Sequence, residues 1–301
     1  MEPRDIEYFA VVASHGNVGR AAEELGLSQP ALSKSLRRLE RAVGAKLVKR
    51  TPKGIDLTAV GAALFLRARG LRLSLDDIAR EAADLVQGGA GRLRLGTSPG
   101  LSVNLLPAAC AAMLKQAPRL LLEVTVATSE IIVPALSRGE LELIVKTDPL
   151  TGHDDLVQEH LFKRAFVVLA SARHRLARKK QVTVADLAQE RWVLSASSPS
   201  KEALCHAFAQ NGLAPPTTAV ETSSIPFRLH LLPSTDFLCF GPKQSFQGNV
   251  SRMPLVELPV IGLSSWQSIG VCYRKDAYLS PAARRFIEIL KTSAKEIAQE
   301  P

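Results

Sequence analysis

Cysteine is scarce in this chain, and its positions exclude two common kinds of site. Only four cysteines occur in 301 residues, and no two form a C-x-x-C pair, so the sequence predicts neither a structural zinc site nor a disulfide framework. They are Cys110, Cys205, Cys239 and Cys272. The six histidines show no metal-ligand spacing either. We expect buried, reduced thiols and no bound metal.

Long apolar runs and catalytic motifs are also missing. No stretch of about 18 uninterrupted apolar residues occurs, which argues against a membrane span. The acidic start of the chain lacks the basic-then-apolar pattern of a signal peptide, so we expect a cytoplasmic protein. No G-x-S-x-G, P-loop or G-x-G-x-x-G motif is present, and the adjacent acids Asp76 and Asp77 would not face each other on a helix. These features argue against an enzyme and against a bound cofactor.

Acidic residues are nearly absent from one segment. The whole chain has 38 Lys and Arg against 29 acids, a formal net charge of +9, and residues 34–53 hold eight bases and only one acid, a net +7. The bases are Lys34, Arg37, Arg38, Arg41, Lys46, Lys49, Arg50 and Lys53. A solvated helix face usually interleaves both signs, so this segment predicts a polyanionic partner such as nucleic acid.

The first 58 residues predict three short helices and a small hairpin. Asn17 and Ser28 are good N-caps for a second and a third helix. The third helix, about 29–43, carries leucines at helical spacing on one face and bases on the other. Short strands at 46–48 and 55–57 flank a Pro and Gly turn, which predicts a wing.

A long helix is predicted from Thr58 to about Gln87. Its apolar residues recur at spacings of three and four over nearly four heptads, and a lone helix of this length would leave that seam in water. The seam consists of Val60, Leu64, Ala68, Leu71, Leu75, Ile78, Ala82 and Leu85. We expect it to pair two copies of the chain, with packing inside its own domain as the alternative. Glycines at 88, 89 and 91 then predict a hinge.

From residue 92 onward, strands and helices alternate. Strands are predicted at 93–96, 121–126, 141–145, 165–170, 192–194, 237–240 and 269–273, with helices at 107–116, 131–138, 201–211 and 281–298. This alternation favours an α/β domain with mostly parallel sheets, in one sheet or two lobes.

Residues 16–40 resemble the helix-turn-helix of the LysR-type transcriptional regulators. The matching core is Arg20, Ala21, Ala22, Leu25, Ser28, Gln29, Pro30, Ala31, Leu32, Ser33, Leu39 and Glu40, followed by Gly44, Leu47, Arg50, Leu57, Thr58 and Gly61. The resemblance is strong to about residue 60 and looser beyond it. Asn17, Val18 and Val48 depart from the family's usual residues but stay compatible with a cap and an apolar core.

The resemblance implies an α+β multidomain protein. It consists of a winged helix-turn-helix (1–58), a linker and dimerisation helix with a hinge (59–90), and an effector domain (91–301) similar to periplasmic binding proteins. Lobe one would comprise about 92–162 plus 266–301, and lobe two about 163–265. The implied partners are double-stranded DNA, a small effector, a second copy in a dimer or tetramer, and RNA polymerase when the protein activates.

In a helix-turn-helix the second helix enters the major groove with its N-terminal residues against the bases. That would place Gln29, Ser33, Lys34 and Arg37 near base edges and Ser28 beside a phosphate. Arg38, Arg41, Arg50 and Lys53 are interpreted as phosphate contacts, which fix register rather than read sequence.

A ligand is expected beyond the carboxyl ends of the strands of the second part. Hydroxyls and a lysine at those ends suit a small organic acid. The candidates are Ser98, Thr128, Ser129, Lys146, Ser197, Ser198, Ser200 and Ser223. For Lys146 the alternative is a solvated surface lysine, and for the hydroxyls it is helix capping.

Two other functions stay open. A redox-responsive regulator of the same family would need a reactive thiol with a partner, and only Cys205 lies near the expected ligand site. A solute-binding protein without a DNA role is opposed by the N-terminal module and by the lack of a signal peptide pattern.

Overall fold

The computed structural model describes residues 2–52, 54–87, 91–147, 149–195, 199–243, 253–263 and 266–299. The chain divides into two compact units, Met1–Ala83 and Asp84–Pro301. Each unit is built around its own buried apolar residues.

The first unit begins with three helices and a hairpin. Their bounds are α1 Pro3–His15, α2 Val18–Glu24, α3 Gln29–Val43, β1 Val48–Thr51 and β2 Gly54–Leu57. β1 and β2 are antiparallel and form the predicted wing, although β1 begins two residues later than the sequence indicated. Leu32 and Leu39 of α3 are fully buried, which confirms its apolar face.

Both predicted N-caps are confirmed. The Asn17 side chain accepts hydrogen bonds from the amides of Gly19 (2.8 Å) and Arg20 (3.1 Å). The Ser28 hydroxyl accepts from the amide of Ala31 at 3.3 Å. Each cap satisfies amides that a helix leaves unbonded in its first turn, so the turn between α2 and α3 is fixed locally.

The long helix α4 spans Ala59–Gln87. Thr58 caps it, since the hydroxyl accepts from the Gly61 amide at 3.0 Å and donates to the Lys46 carbonyl at 2.7 Å. Gly61 packs closely against the backbone of Leu47, because a Cβ at this position would lie 1.9 Å from the Leu47 carbonyl oxygen. The base of α4 is thereby attached to the segment that leads into the wing.

The second unit alternates strands and helices. Its elements are β3 Arg92–Thr97, α5 Leu105–Gln116, β4 Leu121–Val126, α6 Ser129–Ser137, β5 Leu143–Thr147, β6 Leu156–Ser171, α7 Val184–Leu187, β7 Arg191–Leu194, α8 Pro199–Gln210, β8 Thr217–Glu221, α9 Ile225–Leu231, β9 Phe237–Pro242, β10 Leu255–Leu258, β11 Trp266–Arg274 and α10 Pro281–Gln299. Short 3-10 turns occupy Arg175–Arg178 and Leu232–Ser234.

The sixteen-residue strand β6 belongs to two groups of strands. Its residues 156–165 pair with β11, which continues the order β4-β3-β5-β11-β6. Its residues 166–171 pair with β9 and β10, and β7 and β8 follow β9. The expectation of mostly parallel sheets was wrong, since β6 and β11 run antiparallel to their neighbours. β6 contributes an antiparallel strand to both groups, and β11 adds a second one to the first group.

Each lobe has its own apolar core. In lobe one, the cluster containing Leu95 and Phe286 packs α5 and α10 onto the sheet. In lobe two, the cluster containing Trp192 and Phe208 packs α8 onto β7 and β9. Among the described residues, no helix combines the length and apolarity that a membrane crossing needs, and no group of three metal-ligating acids, histidines or cysteines occurs.

Candidate nucleic-acid interface and ligand-binding site

The outer face of α3 is polar and basic. Gln29, Lys34, Arg37 and Arg41 are exposed, and Ser33 is half-buried between them. The Nε groups of Arg37 and Arg41 donate to backbone carbonyls one turn earlier, at 3.3 and 3.4 Å. Neither guanidinium enters an ion pair with a described residue, so both cations are available to a phosphate or a base.

A concave surface continues this face beyond the end of α3. A cavity of about 680 Å³ is lined by Arg37, Glu40, Arg41, Gly44, Ala45 and Lys46. Burial raises the pKa of Glu40, but hydrogen bonds from Lys46 (2.7 Å) and the Leu47 amide (3.1 Å) outweigh it and hold the pKa below its usual value. Glu40 is therefore a buried hydrogen-bond acceptor within the first unit, and the exposed part of this surface remains basic.

Arg38 has a structural partner that the sequence did not reveal. Its Nε and Nη2 donate to the buried carboxylate of Asp5 at 2.6 and 2.5 Å, and the Ser35 hydroxyl donates to the same carboxylate at 2.5 Å. The Arg38 hydrogen bond is the main reason why the pKa of Asp5 lies below its usual value. This guanidinium joins α3 to α1, and its predicted phosphate contact remains a prediction.

The wing presents Lys49 and Arg50 as exposed side chains on β1. Lys53, also predicted as a phosphate contact, lies outside the described residues. The strand that follows is fixed to the first helix, because the Ile55 amide donates to the Gly16 carbonyl at 2.8 Å.

The four ligand residues predicted in lobe one all lie at or just beyond the carboxyl ends of neighbouring strands. β3 pairs in parallel with both β4 and β5, with Thr97 opposite Val126 on one side and Val145 on the other. Ser98 and Lys146 therefore occupy neighbouring positions at the strand ends. Thr128 follows two residues after β4, and Ser129 begins α6.

The side chains at this edge differ from those of an ordinary protein surface in burial and in hydrogen bonding. Lys146 is buried, at 4% exposure, so its interpretation as a solvated lysine was wrong, and its Nζ lies 3.5 Å from the Pro149 carbonyl oxygen. The Ser98 hydroxyl is buried without a hydrogen-bond partner in the described structure. The Thr128 hydroxyl makes no capping bond to α6. Two hydroxyls and a cation at one edge can hold a small anion.

The remaining candidates belong to lobe two. Ser200 is buried near the start of α8, and Ser223 is exposed just before α9. Ser197 and Ser198 lie outside the described residues. The start of α9 is held at the end of β7, because the Thr222 amide donates to the Leu194 carbonyl at 2.9 Å.

Sequence reasoning missed two buried arginines. Arg164 of β6 is 4% exposed and donates to Gln267 Oε1 (2.8 and 3.1 Å) and to the Gly100 carbonyl (3.3 Å). Arg228 of α9 is 6% exposed, and its Nη1 lies 3.8 Å from Cys239 Sγ. The sequence carried one signal for Arg228, since it lies three residues after Ile225 on the apolar stripe that continues with Leu229.

The cysteines are all free, and two of them are buried. Burial raises the pKa of Cys239, which Arg228 partly opposes, and raises the pKa of Cys272 to about 12. Thiols with raised pKa values are poor nucleophiles at neutral pH.

Comparison with known proteins assigns both units. Residues 3–62 match the model of the bacterial regulatory helix-turn-helix protein, lysR family, and residues 87–295 match that of the LysR substrate binding domain. The uncharacterized HTH-type transcriptional regulator YdcI of Escherichia coli is 28% identical over 96% of this chain and 95% of its own. The SDS degradation transcriptional activation protein of a Pseudomonas species is 30% identical over 93% and 92%.

Solved structures agree with this at the level of the fold. A full-length variant of OxyR from Pseudomonas aeruginosa has a TM-score of 0.67 at 23% identity, covering 98% of this chain and 95% of that one. The LysR family regulator CbnR has a TM-score of 0.61 at 22% identity, covering 98% and 99%. A full-length CbnR structure in complex with its target DNA has a TM-score of 0.60 at 21% identity, covering 97% and 100%.

Proposed function

The chain belongs to the LysR family of DNA-binding transcriptional regulators with an effector-binding domain, and on that premise we propose that it reads an operator with α3 and answers to a small organic acid. The observation that carries the DNA part is the exposed basic face of α3, where Lys34, Arg37 and Arg41 stand opposite a buried leucine face. A charged face without interleaved acids suits the phosphate backbone and the base edges of a major groove.

Gln29, Ser33, Lys34 and Arg37 are proposed as the base-reading residues. Gln29, Ser33 and Lys34 lie in the N-terminal half of α3, which is the part of a recognition helix that meets base edges, and Arg37 follows one turn after Ser33. The proposed phosphate contacts are Ser28, Arg38, Arg41, Arg50 and Lys53. Of these, Arg38 also binds Asp5. Because Asp5 already holds Arg38, we expect Arg37 to contribute more to sequence reading than Arg38 does.

The test is a selection of operator sequences from random DNA, followed by binding measurements on variants. Arg37→Ala should weaken binding to the selected site and relax the preference at one base position, at a cost of about 1–3 kcal/mol. Lys180→Ala is the matched control, since it removes an exposed cation from the second unit. Unchanged affinity and unchanged base preference in Arg37→Ala would show that α3 is not the reading helix.

We propose that α4 pairs two copies of the chain. Four residues of the predicted seam, Val60, Leu71, Leu75 and Ile78, are 44–62% exposed in the single chain. Ala68 differs, because it is already buried at 5%. Leucine and isoleucine side chains exposed in a row along one helix are stabilised when a second helix covers them.

Light scattering on the full-length chain tests this pairing. Ile78→Arg places a charge in the seam and should shift the protein toward monomer, whereas Ala83→Arg, exposed on the same helix but on another face, should not. A wild-type chain that is monomeric at micromolar concentration would contradict the proposal. The same measurement separates a dimer from a tetramer.

The effector is proposed to be an organic acid bound at the carboxyl ends of the strands. In lobe one the support is the buried Lys146 beside Ser98, with Thr128 and Ser129 at the start of α6. Ser200 and Ser223, together with Ser197 and Ser198, are the candidates from lobe two. Lys146→Met should abolish the thermal stabilisation that a bound acid gives to the wild-type chain, and stabilisation that persists would remove Lys146 from the site.

The redox alternative has less support. The buried Cys239 and Cys272 have raised pKa values, which disfavour the thiolate that would attack peroxide. We expect operator binding to be unaffected by peroxide, and a loss of binding that dithiothreitol reverses would favour the alternative.

A further inference from the structure

Arg228 is a cation inside lobe two for which the fold supplies little compensation. The residue is 6% exposed, and its Nε is buried without a hydrogen-bond partner. Its Nη1 donates only to Cys239 Sγ, at 3.8 Å, and a thiol is a weak acceptor. Within the described part of the chain, the guanidinium enters no ion pair with a carboxylate.

The surroundings of Arg228 are apolar. Its neighbours along α9, Ile225 and Leu229, belong to one cluster with Leu169 of β6 and Cys239 of β9. A charge in such surroundings raises the free energy of the folded state unless an anion or several hydrogen bonds accompany it. Arginine is also the residue best suited to a carboxylate, because it can donate two parallel hydrogen bonds to the two oxygens.

The position of Arg228 places it at the edge of lobe two where ligands are expected. Cys239, which the guanidinium approaches, pairs with Val193, one residue before β7 ends at Leu194. The Leu194 carbonyl accepts from the Thr222 amide, and α9 begins three residues later. The guanidinium therefore lies close to the carboxyl ends of parallel strands, where open α/β sheets bind ligands.

We propose that Arg228 is the counter-charge for the carboxylate of the effector in lobe two. The inference rests on the proposed function and narrows the chemistry of the effector. One buried guanidinium among apolar side chains fits an acid that has one carboxylate at Arg228 and an apolar body. The bound carboxylate supplies the negative charge and the hydrogen-bond acceptors that Nε lacks in the free protein. In this arrangement Arg228 contacts the ligand itself.

A buried cation kept for a ligand has an unusual effect on stability. Replacing Arg228 with an apolar residue of similar length should leave the melting temperature of the ligand-free protein unchanged or raise it. Arg164 is the matched control, because it is equally buried but donates to Gln267 and Gly100. Arg164→Met strands those acceptors and should lower the melting temperature.

The experiment is thermal denaturation of the full-length wild type, Arg228→Met, Arg228→Gln and Arg164→Met. The probes are sodium propionate, benzoate and succinate, each paired with the corresponding neutral amide. We expect at least one carboxylate, and no amide, to raise the melting temperature of the wild type, with at least a tenfold loss of affinity in both Arg228 variants. A melting temperature of Arg228→Met that falls as far as that of Arg164→Met would overturn the proposal by showing a structural role.

A second measurement does not depend on finding the right acid. Iodide diffused into crystals of the full-length protein should give an anomalous peak beside the Arg228 guanidinium, and the absence of that peak overturns the site. Operator binding is measured on the same variants. If a carboxylate stabilises the wild type and Arg228→Met equally, the effector is an organic acid but Arg228 does not bind it. If the wild type fails to bind the selected DNA, the proposed function itself fails.

Discussion

At the scale of single residues, Asp5 has a structural role that its position in the sequence does not reveal. Asp5 lies in the first turn of α1, and its buried carboxylate accepts two hydrogen bonds from Arg38 and one from Ser35, so it joins α1 to α3. Asp5→Asn removes the charge and keeps the shape, and should lower the melting temperature of the first unit by several degrees. Glu7→Gln, an exposed acid on the same helix, should have little effect. Equal melting temperatures for the two variants would contradict this role.

The Asp5 pair also predicts the direction of a pH dependence. Hydrogen bonds from Arg38 lower the pKa of Asp5 in the folded state, so the folded protein binds the proton less readily than the unfolded chain does. The stabilisation is complete above the ordinary carboxyl range, near pH 4, and disappears as the pH falls through the lowered folded-state pKa. Acid titration of the unfolding free energy should therefore show a drop that Asp5→Asn lacks.

Residue roles were harder to predict than residue positions. Ser28 and Asn17 were identified as caps because capping depends on neighbours in the sequence. Arg228 escaped notice because burial of a charge depends on β6 and β9, which are distant in the chain, and arginine is mostly found at surfaces. Arg38 looked like its neighbours Arg37 and Arg41, and only the packing of α1 distinguishes it.

At the scale of elements, two glycines in α4 offer a matched comparison. A Cβ at Gly61 would lie 1.9 Å from the Leu47 carbonyl oxygen, so Gly61→Ala must push the helix away from the wing segment and should destabilise the first unit. At Gly70 nothing lies within 4 Å, and Gly70→Ala should stabilise the helix by about 0.5–1 kcal/mol through propensity alone. Urea unfolding of the two variants measures both effects. The same sign for both would show that the close approach at Gly61 is unimportant.

Elements with a strong local pattern could be predicted, and the others could not. α3 and α4 follow clear apolar spacing, and both bounds of α3 were predicted correctly. β6 was predicted only at 165–170, because its first half includes Gln158, Glu159 and Lys163 and gains its stability from pairing with β11. β8, β10 and α9 were missed, since each is at most seven residues long and is held by neighbouring strands or helices.

For the whole molecule, the salt dependence of DNA binding depends both on the number of cations at the interface and on the number of subunits bound. The basic segment around α3 and the wing holds most of the net charge, so log Kd should rise steeply with log salt concentration as phosphate contacts release counterions. Arg50 is exposed on β1 and is proposed to contact one phosphate in each subunit. If α4 pairs two chains on one operator, Arg50→Gln removes two contacts together.

The expected change is a salt slope smaller by about 1.8 for a bound dimer and by about 0.9 for a bound monomer, at about 0.9 per phosphate contact. Titration of a labelled operator at several salt concentrations measures this slope. Lys180→Gln, which removes an exposed cation from the second unit, should leave the slope unchanged. Equal slopes for Arg50→Gln and the wild type would remove the wing from the interface. A change near 0.9 in a protein that light scattering shows to be dimeric would mean that only one wing of the pair contacts DNA.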